Sequence, residues 1–223
     1  MVTGMFVVFE GVDGSGKTTQ IGNIGNAIRE WNKYQSIVFE REPTYKAGEI
    51  IQRLVSETDP LSNAEVMAIG FIEDRRAHYH GPITGDMQNG RVVLCDRFSM
   101  STLAYQSVQG QKMDDLVKAH FQNKIGSPDI TFYLGLTPEE ATSRINKRIS
   151  EMGGKREKFE EPDFIEELVK KHEFLYEESQ KDGDIKRLLG RVVKINAKQT
   201  IECVTRDIVE ILNPFYQEKQ KVA

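Results

Sequence analysis

Two hydrophobic patterns alternate along the chain. Short, continuous runs rich in β-branched and aromatic residues occur at Phe6 to Phe9, Ser36 to Phe39, Arg91 to Cys95, Ile130 to Leu134 and Arg191 to Ile195. Between them apolar residues recur at helical spacing. This alternation predicts an α/β fold in which parallel strands are joined by crossover helices. Unbroken apolar runs fit strands buried on both faces. After the first run, Ile21, Ile24, Ile28 and Trp31 form one stripe, which predicts a helix that begins near Lys17 and lies on the sheet. Thr137-Pro138-Glu139-Glu140 predicts another helix start: a threonine cap, proline at the first helical position and glutamate at the third make a capping box. In that helix Ala141, Ile145 and Ile149 are expected inward, while Arg144 and Arg148 share a different face. Those arginines read either as a solvated basic stripe or as an anion-directed pair. Beyond them Glu151-Met152-Gly153-Gly154-Lys155-Arg156-Glu157-Lys158 is charged and glycine-hinged, as a loop that closes over a ligand would be.

Composition narrows the class. With 223 residues, 39% hydrophobic and 29% charged, and with no Pro/Gly/Ser-rich linker, the chain reads as one globular domain, 1–223. A net charge of -4 without a dense basic block argues against a partner held by many backbone phosphates, as duplex nucleic acid is. The first residues, MVTGMFVVFEGVDG, carry neither a basic leader nor an apolar stretch of membrane-spanning length, so a cytoplasmic protein with no membrane partner is expected. Cys95, within an apolar run, and Cys203 read as packed thiols, too few for a disulfide scaffold. His78, His80, His120 and His172 show no metal-site spacing and read as ordinary surface or core histidines.

Three constellations carry chemistry. Gly11-Val12-Asp13-Gly14-Ser15-Gly16-Lys17-Thr18, followed by Thr19, fits G-x-x-x-x-G-K-[ST] between a predicted strand and a predicted helix. There the backbone N–H groups and the helix N-terminus make an anion site. Gly14 and Gly16 let the backbone wrap phosphates, Lys17 reaches the β/γ oxygens and Thr18 offers magnesium a hydroxyl. A plain glycine turn is the alternative, and the strand-to-helix context favours the cradle. Asp96 and Arg97 end the apolar run Arg91 to Cys95. The carboxylate stands where a second magnesium ligand is needed, and the guanidinium is a bidentate phosphate donor. Phe71 and Arg75, four residues apart on a helix, could hold a flat heterocycle by stacking and hydrogen bonding, or could be a packed ring beside a surface cation.

Taken together these residues resemble the thymidylate kinases, which transfer the γ-phosphate of ATP to dTMP. FEGVDGSGKTTQ, EREP at Glu40 to Pro43, FIEDRR at Phe71 to Arg76 and DRFSMSTLAYQ at Asp96 to Gln106 stand in that family's order, and RINKR and KREKFE look like its lid. The resemblance implies a P-loop nucleoside monophosphate kinase fold, a three-layer sandwich around a five-stranded parallel sheet. It also implies an acceptor-binding region at about 41–80 and a lid at about 148–160. By position, Asp13 would approach the 3'-hydroxyl and acceptor end of dTMP, Phe71 would stack on thymine and Arg75 would hydrogen-bond its edge. Arg97 would hold the acceptor phosphate, Thr102 would sit near the base, and Tyr105 would wall off the sugar 2' position. Glu42 and Pro43 would shape the loop beside the acceptor phosphate, through a peptide bond that proline allows to be cis. The family carries its transition-state arginine either in the phosphate loop or in the lid; with no arginine at Gly14 or Ser15, the resemblance implies the lid, as Arg148 or Arg156 with Arg144 in support.

The sequence departs from the family pattern in three places: Thr44-Tyr45-Lys46 where many members have a glycine pair, Gln52 where many carry arginine, with Arg53 beside it, and Lys155 in a lid position that is often arginine. The expected function is therefore magnesium-dependent dTMP phosphorylation. The alternatives are a kinase for another deoxynucleoside monophosphate or a nucleoside, and an ATP-binding protein without turnover. A homodimer is expected, through the helices around Ala64 to His80 and Met100 to Gln106.

Overall fold

The computed structural model describes residues 4–44, 63–153 and 156–221. Five strands, β1 (Met5–Glu10), β2 (Ile37–Arg41), β3 (Val92–Asp96), β4 (Ile130–Gly135) and β5 (Arg191–Asn196), form one parallel sheet in the order β2-β3-β1-β4-β5. The helices that cover it are α1 (Lys17–Trp31), α2 (Ala64–His78), α3 (Thr84–Gln88), α4 (Ser99–Val108), α5 (Met113–Gln122), α6 (Pro138–Met152), α7 (Pro162–Ser179), α8 (Asp184–Leu189) and α9 (Ile201–Lys221). Among the described residues no helix is long and apolar enough to cross a membrane.

Every predicted run is a strand, but the reason given for their continuous hydrophobicity holds only for three of them. Each residue of β1, β3 and β4 is buried, whereas β2 has only half-buried and exposed positions and β5 mixes exposed, half-buried and buried ones. The cause is position. β2 and β5 are the sheet edges, each flanked by one strand instead of two, and Phe39 of β2 is 49% exposed. The predicted stripe of α1 holds, with Ile24 and Ile28 fully buried, and the capping box of α6 is formed through Glu140 N to Thr137 Oγ1 (3.4 Å) and Thr137 N to Glu140 Oε2 (3.3 Å).

Strand order sets where a ligand can bind. The chain leaves β1 for the β2 edge, returns through β3, then crosses β1 to reach β4, so connections diverge on either side of the C-terminal end of β1. In open parallel sheets such a divergence leaves a crevice beyond the strand ends. Register completes the arrangement: Phe9 pairs with Asp96, which brings the loop after β1 level with the end of β3. A buried carboxylate, Glu10, fixes the next turn by accepting hydrogen bonds from Phe98 N (2.8 Å), Ser101 N (3.1 Å) and Ser101 Oγ (2.6 Å), and so caps α4. Burial raises the Glu10 pKa, against the pull of those hydrogen bonds and of Arg97.

One expectation about assembly needs correcting. Met100, Leu103 and Ala104 of α4 are buried within the protomer and offer no surface to a second copy. On α2, by contrast, Val66 and Ile69 are 51% and 57% exposed, apolar side chains that remain available to a partner.

Candidate active site

The loop after β1 turns tightly enough to need glycine. Gly14 and Gly16 adopt φ of 79° and 93°, which side chains other than glycine rarely tolerate, and a Cβ on Gly14 would stand 3.1 Å from Arg144 Cβ. Lys17 opens α1 and folds back over the loop, where its Nζ donates to Gly11 O (2.9 Å) and Val12 O (3.1 Å). Burial is the main cause that lowers its pKa, to about 8, with the Arg97 charge adding to it and the carboxylates of Asp13, Asp96 and Glu10 opposing it. Thr18 Oγ1 donates to Asp96 Oδ2 (3.1 Å), while Asp96 Oδ1 and the Ser15 hydroxyl are buried without a partner among the described residues. Unmatched buried polar atoms are costly. Here they lie among a lysine, a hydroxyl and a helix N-terminus, a set of hard oxygen and cationic groups that fits phosphate and magnesium. Thr19 is exposed on the first turn of α1.

The depressed lysine pKa has a consequence for catalysis. The ammonium is the form that attracts phosphate, so kcat/KM for ATP should be level below pH 7 and fall tenfold per unit above about pH 8. A profile that stays level to pH 9.5 would assign phosphate attraction to other groups.

Asp13, inside the loop, meets Arg97 at the end of β3. Arg97 Nη2 donates to Asp13 Oδ1 (2.6 Å), and its Nη1 donates to Ser101 Oγ (3.2 Å) and Gly11 O (3.4 Å). Burial alone would raise the Asp13 pKa, but the charges of Arg97 and Lys17 prevail and hold the carboxyl far below its ordinary range. Arg97 has φ of 70°, an uncommon conformation for a residue with a side chain. Glu10, which ties down the two amides that follow, accounts for its persistence. The Tyr105 ring lies under the guanidinium, 5.1 Å from its carbon, and the phenol donates to Asp13 Oδ2 at 3.4 Å.

A second buried cluster lies along α2 and α4. Arg75 is 1% exposed, and its Nε donates to Glu42 Oε2 (2.7 Å) while Nη1 donates to Thr102 Oγ1 (2.9 Å). The alternative of a surface cation is thereby excluded. Phe71 is half-buried one turn earlier, and its ring has no aromatic or cationic partner among the described residues. The Glu42–Pro43 peptide is cis. Both oxygens of Glu42 face side chains of α2, Arg75 and His78, so this residue also anchors that helix. Thr44 is held by Asp74, whose carboxylate accepts from Thr44 N (2.8 Å). Tyr45, Lys46, Gln52, Arg53, Gly154 and Lys155 lie outside the described residues.

The lid arginines separate into three jobs. Arg144 donates to Gly14 O (3.1 Å) and Ala197 O (2.7 Å), which staples α6 to the phosphate loop. Arg156 donates to Glu160 O (3.0 Å) and pairs with the Asn146 side chain, inside the lid itself. Arg148 pairs with the carboxylate of Glu160 and feels the charge of Asp13 across the site. Gly153 ends α6 at φ of 64°, and Phe159 sets its ring edge-on to Tyr105 at 6.0 Å.

The histidines divide into one exposed, His80, and three in the core, His78, His120 and His172. His78 is buried between Glu42 and Glu40, and His120 touches Arg75, contacts across 36 and 45 residues that no local spacing reports. His172 is buried against Tyr133, where desolvation holds its pKa down to about 3.

Comparison with known proteins agrees with this geometry. A family model described as thymidylate kinase matches residues 9–208. A thymidylate kinase of Oceanobacillus iheyensis is 32% identical, covering 99% of this chain and 94% of its own length. One from Ruegeria pomeroyi is 39% identical over 74% of this chain and 76% of its own length. A probable thymidylate kinase of Pyrococcus horikoshii is 30% identical, with 94% and 96% covered. From agreement over that span it follows that the chain belongs to the thymidylate kinase family.

Proposed function

We propose that the protein transfers the γ-phosphate of ATP to dTMP, giving dTDP and ADP, with magnesium. The observation that carries this reading is the Asp13–Arg97 ion pair, because it joins the phosphate loop of the donor side to an arginine suited to an acceptor phosphate. A phosphoryl group passed between two nucleotides needs such adjacency, since positioning supplies much of the rate. Lys17 and the backbone N–H groups from Asp13 to Thr19 hold the donor phosphates. Thr18 and Asp96 would hold magnesium, which would supply positive charge against the phosphate oxygens. Arg97, held at the end of β3 by Asp13, Ser101 and Gly11 O, carries a guanidinium suited to charge-assisted hydrogen bonds with the acceptor phosphate. Asp13 and Tyr105 meet the sugar, and Phe71 and Arg75 meet the base, with Thr102 behind them. Arg148 supplies charge to the transferring group when the lid at 148–160 closes, and Arg144 and Arg156 hold the lid's frame.

The same reading makes the chain a single kinase domain, with its acceptor region at about 41–80, that pairs into a homodimer through the α2 face bearing Val66 and Ile69. A coupled assay with dTMP, dUMP, dCMP and dAMP tests it. The highest kcat/KM is expected with dTMP. A better rate with another monophosphate would reassign the base pocket, and ATP binding with no transfer to any acceptor would make the protein a non-catalytic nucleotide binder.

A further inference from the structure

Arg75 heads the fully buried side chains in volume, and a buried cation is tolerated only when its hydrogens are matched. A guanidinium has five of them in a fixed plane. Nε spends one on Glu42 Oε2, and Nη1 faces two acceptors at once, Thr102 Oγ1 (2.9 Å) and His120 Nε2 (3.0 Å). The Phe98 ring packs below, 5.2 Å from the guanidinium carbon. Both hydrogens of Nη2 donate to no described residue. Three directions are therefore fixed by protein and one edge of the plane is left over.

His120 can fill its place in one form only. Its Nδ1 lies 2.7 Å from Leu116 O, a carbonyl that can only accept, so Nδ1 carries the hydrogen. Nε2 then holds a lone pair toward Arg75. A hydrogen on Nε2 would instead oppose the hydrogens of Nη1 inside the core. Burial, and then the Arg75 charge, push the imidazolium pKa down to about 3, which agrees with that neutral tautomer. Glu42, the second clamp, is itself held from behind: His78 Nδ1 lies 3.1 Å from Glu42 Oε1, and His78 Nε2 lies 3.0 Å from Glu40 Oε2.

We propose that His120 is a positioning residue for recognition of the acceptor base: its Nδ1–H tautomer turns the Arg75 guanidinium so that Nη2 alone faces the base, while His78 orients Glu42 for the same purpose. The inference rests on the reading of Arg75 as the base-facing group. An edge that can only donate selects a ring carbonyl, as thymine has, over a ring amino group, as cytosine has. That selection needs a fixed plane. Without the His120 acceptor, one Nη1 hydrogen is unmatched and the guanidinium can rotate to seek another partner.

The test compares His120→Phe, which keeps most of the volume and removes the acceptor, with His120→Gln, which returns an acceptor oxygen, and with Arg75→Ala. His120→Phe should raise KM for dTMP about tenfold, leave KM for ATP within about twofold, and lower the dTMP-to-dCMP ratio of kcat/KM about tenfold, as expected for one hydrogen bond to a charged group. His120→Gln should recover most of both losses. A folded His120→Phe protein with unchanged dTMP parameters, beside an Arg75→Ala protein that has lost its preference, overturns the role of His120 and leaves the base reading standing. If Arg75→Ala keeps the preference, the base reading fails and this inference falls with it. Nitrogen-15 spectra of the unaltered protein give a check that needs no variant. His120 should be the neutral Nδ1–H tautomer at pH 7, and an Nε2–H tautomer or an imidazolium there overturns the proposal.

Discussion

Arg148→Ala is expected to lower kcat about 10³-fold while changing KM for ATP and dTMP by less than about threefold. The capping box fixes the start of α6, and Arg144 then ties that helix to Gly14 O, so the register of α6 against the phosphate loop is set. Arg148, four residues on, lies on the same face one turn farther. Its charge couples to Asp13, and the Glu160 carboxylate holds its guanidinium. Charge spread over the equatorial oxygens of a transferring phosphoryl group exists in the transition state, so a cation aimed there affects kcat more than binding. Arg148→Lys should recover little, because an ammonium lacks the planar fork. Arg156→Ala should cost about tenfold or less, since the donors of Arg156 serve Asn146 and a backbone carbonyl within the lid. Single-turnover and steady-state rates on the three variants decide the matter; a large kcat loss with Arg156→Ala and a small one with Arg148→Ala would exchange their roles.

Arg97→Ala should reduce kcat/KM for dTMP by about 10² to 10³, through loss of charge-assisted hydrogen bonds to the acceptor phosphate. ATP binding, measured by calorimetry with a non-hydrolysable analogue, should change less than about threefold, because Lys17 keeps its bonds to Gly11 O and Val12 O. The variant also removes the leading electrostatic cause that holds the Asp13 pKa down, so that pKa should rise. The ionised carboxylate would then persist over a narrower range, and activity should decline at a higher pH on the acid side than in the unaltered protein. Equal losses for ATP and dTMP would mean that Arg97 braces the whole site instead of binding the acceptor. Full activity on free thymidine with none on dTMP would identify a nucleoside kinase.

Much of the donor side is legible along the chain. A strand, a glycine loop, a lysine and a helix are contiguous, and each is announced by short-range physics: β-branched runs, positions that need positive φ, and an apolar stripe at helical spacing. The acceptor side is less legible. Phe71 and Arg75 can be paired by helical spacing, yet whether the arginine is exposed or buried depends on Glu42, Thr102 and His120, which arrive from the turn after β2, from α4 and from α5. Arg144, Arg148 and Arg156 read as one basic group, but their acceptors differ: a loop carbonyl, a buried carboxylate and a helix amide. Edge and central strands look alike in sequence because an apolar run states that a strand can be buried, not which neighbours it will have.

The sequence by itself determined the α/β class, the phosphate loop with its strand and helix, and the capping box of α6. These follow from residues within a few positions of one another, whose backbone preferences and side-chain periodicity act locally. Only the tertiary structure decided the strand order, the burial of Arg75, the meeting of Asp13 with Arg97, the hold of Glu42 on α2, and the two histidines packed behind Arg75 and Glu42. Each of these is a contact between groups 27 to 84 residues apart or a consequence of which strands become neighbours. The reason is that a buried charge takes its protonation state and direction from the few groups the fold brings within hydrogen-bond reach, and chain distance says nothing of which groups those will be.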